Sequence, residues 1–85
     1  MKLYVIQCLN SYVGNFLLFW GPDRRGYTVD LDKAGKYTLE EALKIEKLRG
    51  TDKAIPLEVA ERATIRVVDD DLFKREMANY LNTVN

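Results

Sequence analysis

The first two segments of the sequence that read as β-strands are apolar on both of their faces. Residues 3–9 (LYVIQCL) and 16–20 (FLLFW) are rich in the β-branched and aromatic side chains that favour strands. Side chains alternate between the two faces of a strand, so a sheet with one wet face carries polar residues at every second position. The sheet that contains these segments therefore needs cover on both faces.

The sequence leaves three kinds of cover open for the second face of this sheet. They are a short helix with its loop from the same chain, a second copy of the chain, and a foreign protein. An uncovered apolar patch of that size promotes aggregation. We therefore expect the sheet to provide a surface for self-association or for a partner.

Turn-forming residues separate the predicted strands. Residues 10–15 (NSYVGN) predict a turn, in which Gly14 can take a positive φ. Residues 21–26 (GPDRRG) predict a loop that proline and glycine shape. Residues 27–31 (YTVDL) alternate between apolar and polar types, which predicts a half-buried third strand.

A helix is predicted to begin after Thr38. The Thr38 hydroxyl can accept from the backbone N–H of Glu41, and the Glu41 carboxylate can accept from the N–H of Thr38, which together make a capping box. The apolar stripe of this helix ends near Ile45, because Glu46 falls inside it. We expect the remainder, up to Gly50, to fray.

The C-terminal part of the sequence predicts a loop, a short helix, a strand and a long helix. The loop covers residues 51–54, and Pro56 suits the first turn of a helix over 57–62. Residues 64–68 (TIRVV) predict a fourth strand. The last helix follows Asp69 as its N-cap, and its apolar face consists of Phe73, Met77, Tyr80, Leu81 and Val84.

These elements follow one another as β-β-β-α-(short α)-β-α, which predicts an α+β fold. The chain of 85 residues fits one domain, so we expect a single domain over residues 1–85. The predicted architecture is a mainly antiparallel four-stranded sheet with two amphipathic helices packed on it. Short connections indicate that the first three strands form hairpins.

Charge and composition weigh against two classes of function. Thirteen Lys and Arg balance thirteen Asp and Glu, whereas nucleic-acid binding is driven by a positive surplus that neutralises phosphates. The sequence has no histidine, which removes the commonest general base and the usual metal ligand. We therefore expect no enzymatic activity, and we expect nucleic acid not to be the main partner.

The acidic clusters favour structural roles, and we expect no metal or cofactor. Residues 69–71 (DDD) stand where a helix begins, where acids cap N–H groups and oppose the helix dipole. Asp30 is expected on the polar face of the third strand and Asp32 as the cap of the turn that follows, so both favour solvated or turn-forming roles. The glycines at 21 and 26 enclose no phosphate-binding motif.

Cellular context is indicated by what the sequence lacks. The single cysteine, Cys8, has no internal disulfide partner, and its place in an apolar strand predicts a buried thiol. The N-terminus does not follow the signal-peptide pattern, and no apolar segment approaches the roughly 20 residues that span a bilayer. These features predict a cytoplasmic protein without membrane contact.

The loop over 21–26 and the aromatic residues that flank it form the candidate contact site. Aromatic and arginine side chains dominate binding hot spots, and an arginine pair can also grip a phosphate or a carboxylate. The loop is thus either a plain hairpin tip, a protein contact or a contact for nucleic acid or nucleotide. The candidate partner-binding residues are Trp20, Asp23, Arg24, Arg25 and Tyr27.

A resemblance covers roughly residues 11–42. The residues that carry it are Val13-Gly14-Asn15, Trp20, Gly26-Tyr27-Thr28, Asp30-Leu31, Ala34, Tyr37-Thr38 and Glu40-Glu41-Ala42. With them the chain resembles a family of small, functionally uncharacterised proteins encoded by bacteriophages and prophages. Relatives often carry a glycine-rich link after the tryptophan, where this chain has GPDRR, so no role of the loop is carried over.

The resemblance implies a phage accessory protein that acts in the bacterial cytoplasm. Together with the residues, it leads us to expect a non-enzymatic protein-interaction module that binds a host or phage protein or a second copy of itself. The alternative is a small regulatory protein that binds nucleic acid or a nucleotide through Arg24 and Arg25.

Overall fold

A computed structural model describes residues 2–84 and arranges them as an antiparallel four-stranded sheet with three helices. The strands are β1 (Tyr4–Val13), β2 (Phe16–Trp20), β3 (Tyr27–Thr28) and β4 (Asp52–Pro56), and their order in the sheet is β3-β2-β1-β4. The helices are α1 (Leu39–Leu48), α2 (Leu57–Arg62) and α3 (Asp70–Thr83). The predicted α+β class with an antiparallel four-stranded sheet is confirmed.

The β1–β2 hairpin is longer than the sequence predicted. β1 continues through the predicted turn as far as Val13, and the chain reverses only at Gly14, which has a φ of +61°. The pairing register shifts between Cys8 and Tyr12, which marks a β-bulge. The buried half of β1 thus lies before the bulge, where the thiol of Cys8 is buried as predicted.

The third strand is shorter than the alternating residues predicted. It contains only Tyr27 and Thr28 and pairs with the end of β2. The Asp30 carboxylate then accepts a hydrogen bond from the backbone N–H of Asp32 at 2.9 Å and begins a 3₁₀ turn over Leu31–Lys33. This local bond turns the chain away from the sheet, so the cap of the turn is Asp30 and not Asp32 as predicted.

The fourth strand lies elsewhere than predicted. Residues 52–56, expected in part to be loop, pair with the edge of β1 from Tyr4↔Pro56 to Cys8↔Asp52. The strand predicted over 64–68 does not form: these residues are exposed and have no regular secondary structure. Propensity favoured the second segment, but the free edge of β1 selected the first, because pairing and burial outweigh intrinsic preference in strands.

α1 covers one face of the sheet. Its capping box forms as predicted, with Thr38 and Glu41 each accepting from the backbone N–H of the other. Glu46, which interrupts the apolar stripe, is half-buried and accepts a hydrogen bond from the backbone N–H of Ala54 at 3.1 Å. The core on this face consists of Ile6, Trp20, Tyr37, Ala42 and Ile45.

The second face of the sheet has partial cover from the same chain. Its buried residues are Val5, Phe19 and Ala34. Val5 and Phe19 are adjacent in sequence to Ile6 and Trp20 of the first core, so their side chains point to the opposite face. Leu31 and the short helix α2 pack against them through half-buried side chains. The first of the three kinds of cover expected from the sequence is therefore present, although it leaves a groove that is described below.

α3 forms as predicted, with the Asp69 carboxylate accepting from the backbone N–H of Leu72 at 2.8 Å. It differs from the expectation in its packing, because every one of its residues is exposed and none lies against the sheet as a buried side chain. The described chain measures 58 × 28 × 22 Å, so it is elongated rather than closed around one core.

Candidate functional site

The predicted contact loop leaves the sheet at the end of β2 and returns at β3. The N–H of Gly21 donates to the carbonyl of Gly26 at 2.9 Å, which closes the base of the loop. The N–H of Arg24 donates to the carbonyl of Gly21 at 3.2 Å and the N–H of Arg25 to the carbonyl of Pro22 at 3.0 Å, so two overlapping turns form the tip. The loop is thus hydrogen-bonded within itself.

Two non-glycine residues at the tip of the loop have left-handed backbone conformations. The φ angles of Asp23 and Arg24 are +54° and +58°. Such conformations are disfavoured for residues with a Cβ and persist only where surrounding contacts hold them. A Cβ at Gly21 would overlap the carbonyl oxygen of Arg25, so the base of the loop requires glycine as well.

Tyr37 supplies the contact that holds the tip. Its buried hydroxyl donates to the carbonyl of Gly21 at 2.6 Å and accepts from the backbone N–H of Arg24 at 3.0 Å. The backbone of Tyr37 is itself anchored, because its N–H and carbonyl both pair with Tyr4 of β1 at 2.8 Å. The loop is therefore fixed to the sheet through one side chain.

Trp20 lies beneath the loop as a support and is 8% exposed. Its indole N–H donates to Oδ1 of Asp52 in β4 at 3.0 Å, and its ring contacts that of Tyr27 with centroids 4.2 Å apart. The guanidinium groups of Arg24 and Arg49 lie 5.8 and 5.7 Å from the centre of the indole. These distances suit cation–π attraction.

Asp52 brings a buried charge to this cluster. It is 3% exposed, and its Oδ2 has no hydrogen-bond partner among the described residues, although Nε of Arg49 lies 4.0 Å away. The positive charge of Arg49 compensates the carboxylate at close range, which lowers the cost of burying it. The arrangement is that of a structural ion pair behind the tryptophan.

The structure brings the five predicted contact residues together but gives them different roles. Trp20 and Arg24 form the support, and Nε of Arg24 is buried without a hydrogen-bond partner in the described part of the chain. Asp23, Arg25 and Tyr27 are exposed. We call these last three residues the loop surface. Of the two neighbouring arginines, Arg24 packs on the Trp20 ring and Arg25 is exposed.

Sequence reasoning missed Tyr37, Arg49 and Asp52, which build the support of the loop. Tyr37 stands beside the Thr38 cap, and that local pattern gives no role to the Tyr37 hydroxyl. Asp52 fell in a segment predicted to be a loop. A tertiary contact across 32 residues joins it to Trp20, and no local sequence signal announces such a contact.

A groove on the second face of the sheet is the other candidate site. It has a volume of about 980 Å³, and it runs between the end of the β1–β2 hairpin, α2 and the segment that follows α2. We call it the sheet groove. Its apolar walls include Leu17, Phe19, Val29, Leu31, Leu57 and Ile65.

The acidic residues that the sequence singled out serve local structure. Asp69 caps α3, and the carboxylate of Asp70 lies 3.0 Å from the ammonium group of Lys74 one turn later. Within residues 2–84 no three His, Cys, Asp or Glu side chains converge as a metal site would require.

The capping contacts from the backbone and hydroxyl of Thr38 lower the pKa of the Glu41 carboxyl below its ordinary value.

Over the described residues, no helix has both the length and the apolar character needed to cross a bilayer.

No protein-family model matches the chain, and neither any curated protein nor any solved structure is significantly similar to it. Within the described residues, the loop surface and the sheet groove are the candidate contact sites.

Proposed function

We propose that this chain is a non-enzymatic protein-interaction module that binds a host or phage protein through the loop surface, as a phage or prophage accessory protein in the bacterial cytoplasm. The observation that carries the proposal is an exposed loop whose backbone is held in disfavoured conformations by a buried tyrosine hydroxyl. The phage origin and the location follow from the family resemblance.

Rigidity is what favours recognition at this loop. A flexible loop loses conformational freedom when it binds, whereas a loop that is already ordered avoids that cost. Left-handed residues outside glycine cluster at binding and catalytic sites, where the fold holds a strained backbone for a purpose. In this chain the Tyr37 hydroxyl holds that backbone through its hydrogen bonds to Gly21 and Arg24.

The loop surface has the composition of a small contact patch. Tyr27 is 50% exposed, and its ring is backed by that of Trp20, so its orientation is set before binding. Asp23 and Arg25 place opposite charges beside it, which suits a partner of mixed polarity. Tyrosine and arginine are among the side chains enriched at interaction hot spots.

The separation of the two arginines makes nucleic acid the weaker proposal. Arg24 lies over the Trp20 ring, which leaves Arg25 as the exposed arginine of the loop. A single cation in a chain of zero net charge offers little phosphate neutralisation. Salt-dependent retention on immobilised heparin or DNA, lost in Arg25→Ala, would favour this alternative.

A loop variant with a matched control tests the proposal. We expect Arg25→Glu with Tyr27→Ala to abolish capture of one specific protein from bacterial lysate, measured by quantitative mass spectrometry at two salt concentrations. Lys33→Glu, an exposed charge change in the neighbouring 3₁₀ turn, is expected to leave that capture intact. Identical protein sets captured by all three chains would contradict a role of the loop.

We propose the second face of the sheet as a separate contact, for a second copy of the chain. The apolar residues that line the sheet groove support this part, because the cover that α2 provides is incomplete. It is independent of the loop surface.

A further inference from the structure

We propose that two copies of this chain exchange their C-terminal helices, so that α3 of each copy lies in the sheet groove of the other. The inference deepens the self-association part of the proposed function, since it names the segment that fills the groove. It does not depend on the loop surface or on any foreign partner.

The helix side of the contact is an apolar face without cover. At 100° per residue, Phe73, Met77 and Tyr80 fall on one side of α3 together with Leu81, and Val84 continues that face beyond the helix. These side chains are between 38% and 59% exposed, although an amphipathic helix normally buries this face. α3 thus has the form of a packed helix without the surface that it packs on.

The lining of the groove is mainly apolar, and it also includes the charged residues Asp30, Asp32, Lys36, Glu61 and Arg66. Phe16, which lines it, is 41% exposed, and Val29 is 42% exposed. The groove is bounded by Ala60 and Ile65, which lie on either side of the end of α2. Each copy therefore offers one apolar helix and one apolar groove, and a two-fold exchange covers both at once.

The segment between α2 and α3 favours exchange over a return of α3 to its own groove. Residues 63–69 (ATIRVVD) run along the groove and contain neither glycine nor proline. Four of them, Thr64, Ile65, Val67 and Val68, are β-branched and favour extended backbone over a tight turn. An extended linker carries α3 away from its own chain, in agreement with the 58 Å length of the described protein.

The area available is sufficient for a stable dimer. A helix of 14 residues is about 21 Å long and about 10 Å wide, so burying half of its cylinder in a groove covers roughly 330 Å² on each of the two surfaces. Two reciprocal contacts bury roughly 1,300 Å², which lies within the range of standard specific interfaces. The second half of α3 from Met77 onward carries no charged side chain, so it can enter the groove without desolvating a charge of its own.

The oligomeric state of the full chain, measured by light scattering and sedimentation, is the first test. We expect a dimer at micromolar concentration. We then expect isotope-filtered contacts, in a mixture of labelled and unlabelled chains, between the ring of Phe73 in one copy and Leu57 or Leu17 in the other. Two results would overturn the proposal. One is a monomer in which α3 contacts its own groove, and the other is a monomer in which α3 contacts no groove.

A charge placed on either side of α3 separates this dimer from other ways of associating. Met77→Glu puts a carboxylate on the apolar face and is expected to weaken dimerisation by at least ~10-fold. Asn79→Glu adds the same charge on the opposite side of the same helix and is expected to leave dimerisation unchanged. Helical content by circular dichroism verifies that both variants fold.

A dimer that withstands Met77→Glu would overturn the exchange even though the chain self-associates. Loss of the dimer in Met77→Glu with continued capture of a foreign protein through the loop surface supports both proposals separately. If the Arg25→Glu, Tyr27→Ala variant no longer captures the foreign protein but still forms the dimer, the result supports the role of the loop surface and has no bearing on the exchange of α3.

Discussion

The indole N–H of Trp20 donates a hydrogen bond to the buried carboxylate of Asp52 at 3.0 Å, across 32 residues of sequence. This bond joins the end of β2 to the start of β4, two strands that are separated in the sheet by β1. It also fixes the indole against which Tyr27 and Arg24 pack. The stability of the sheet and the shape of the contact loop are therefore linked through one side-chain pair.

Asp52→Ala is expected to lower the free energy of unfolding by about 2 kcal/mol, because the indole N–H is left buried without an acceptor. Asp52→Asn retains an acceptor for the indole and is expected to cost less. Urea unfolding followed by the fluorescence of Trp20, the one tryptophan in the sequence, measures both variants. Equal stability of Asp52→Ala and the wild-type chain would show that the bond contributes nothing.

Tyr37→Phe is expected to lower the free energy of unfolding by about 1–2 kcal/mol, since it removes the hydroxyl that bonds to Gly21 and Arg24. The amide of Arg24 should also exchange faster with solvent, which hydrogen-exchange NMR detects. Tyr12→Phe is the matched control, because Tyr12 is 57% exposed. Unchanged exchange at Arg24 would remove Tyr37 as the anchor of the loop.

Gly35→Ala is expected to destabilise the chain by roughly 1–3 kcal/mol through overpacking. Its added Cβ would stand 2.6 Å from the carbonyl oxygen of Gly21 and 2.7 Å from the Tyr37 hydroxyl, and the first of these is backbone that cannot easily move. Gly50→Ala is the control, since nothing lies within 4 Å of a Cβ there. Thermal unfolding compares the two, and equal midpoints would contradict the close approach at Gly35.

The capping box makes part of the stability depend on pH. The backbone and hydroxyl of Thr38 lower the pKa of Glu41 below its ordinary value of 4.5. A carboxylate with a depressed folded-state pKa contributes stability that is present above its unfolded pKa and is lost as pH falls through the folded pKa. We therefore expect this contribution to be lost as the pH falls below the ordinary value of 4.5.

Glu41→Gln isolates that contribution, because glutamine can still accept from the N–H of Thr38 but does not ionise. Urea unfolding across the same pH range is expected to give a flatter profile for this variant than for the wild-type chain. Glu40→Gln, one position earlier in the same turn, serves as the control. If both variants follow the wild-type profile, the pH dependence arises elsewhere.

Signals that act within a few residues predicted local structure well. The capping box of Thr38 and Glu41 and the N-cap at Asp69 each depend on a side chain that reaches a backbone group three residues away. Such contacts depend only on residues that are close in sequence, whatever the rest of the fold. The starts of α1 and α3 could therefore be located from the sequence.

Strand choice could not be predicted from intrinsic preference. Residues 52–56 (DKAIP) contain a charged pair and a proline, yet they form β4 because the edge of β1 was free to pair with them. Residues 64–68 have the better composition for a strand but remain outside the sheet. A strand is selected by the partner that its backbone finds, and that partner is remote in sequence.

The candidate site divides in the same way. The loop over 21–26 and its neighbours Trp20 and Tyr27 could be named from their residue types, because glycine, proline and aromatic side chains mark such loops. The position of Trp20 beneath the loop depends on its hydrogen bond to Asp52 and on the burial of its indole in the core. Which residues of the loop remain exposed was therefore invisible in the sequence.

By itself, the sequence determined the α+β class, the two capped helices and the presence of apolar surface on both sides of the first hairpin. Those properties arise from residue types and their local spacing. Only the tertiary structure decided that residues 52–56 form the edge strand beside β1 and that the Tyr37 hydroxyl holds the loop. It also decided that the apolar face of α3 remains exposed. Each of these depends on contacts between distant segments, whose free energy exists only once the chain has brought them together.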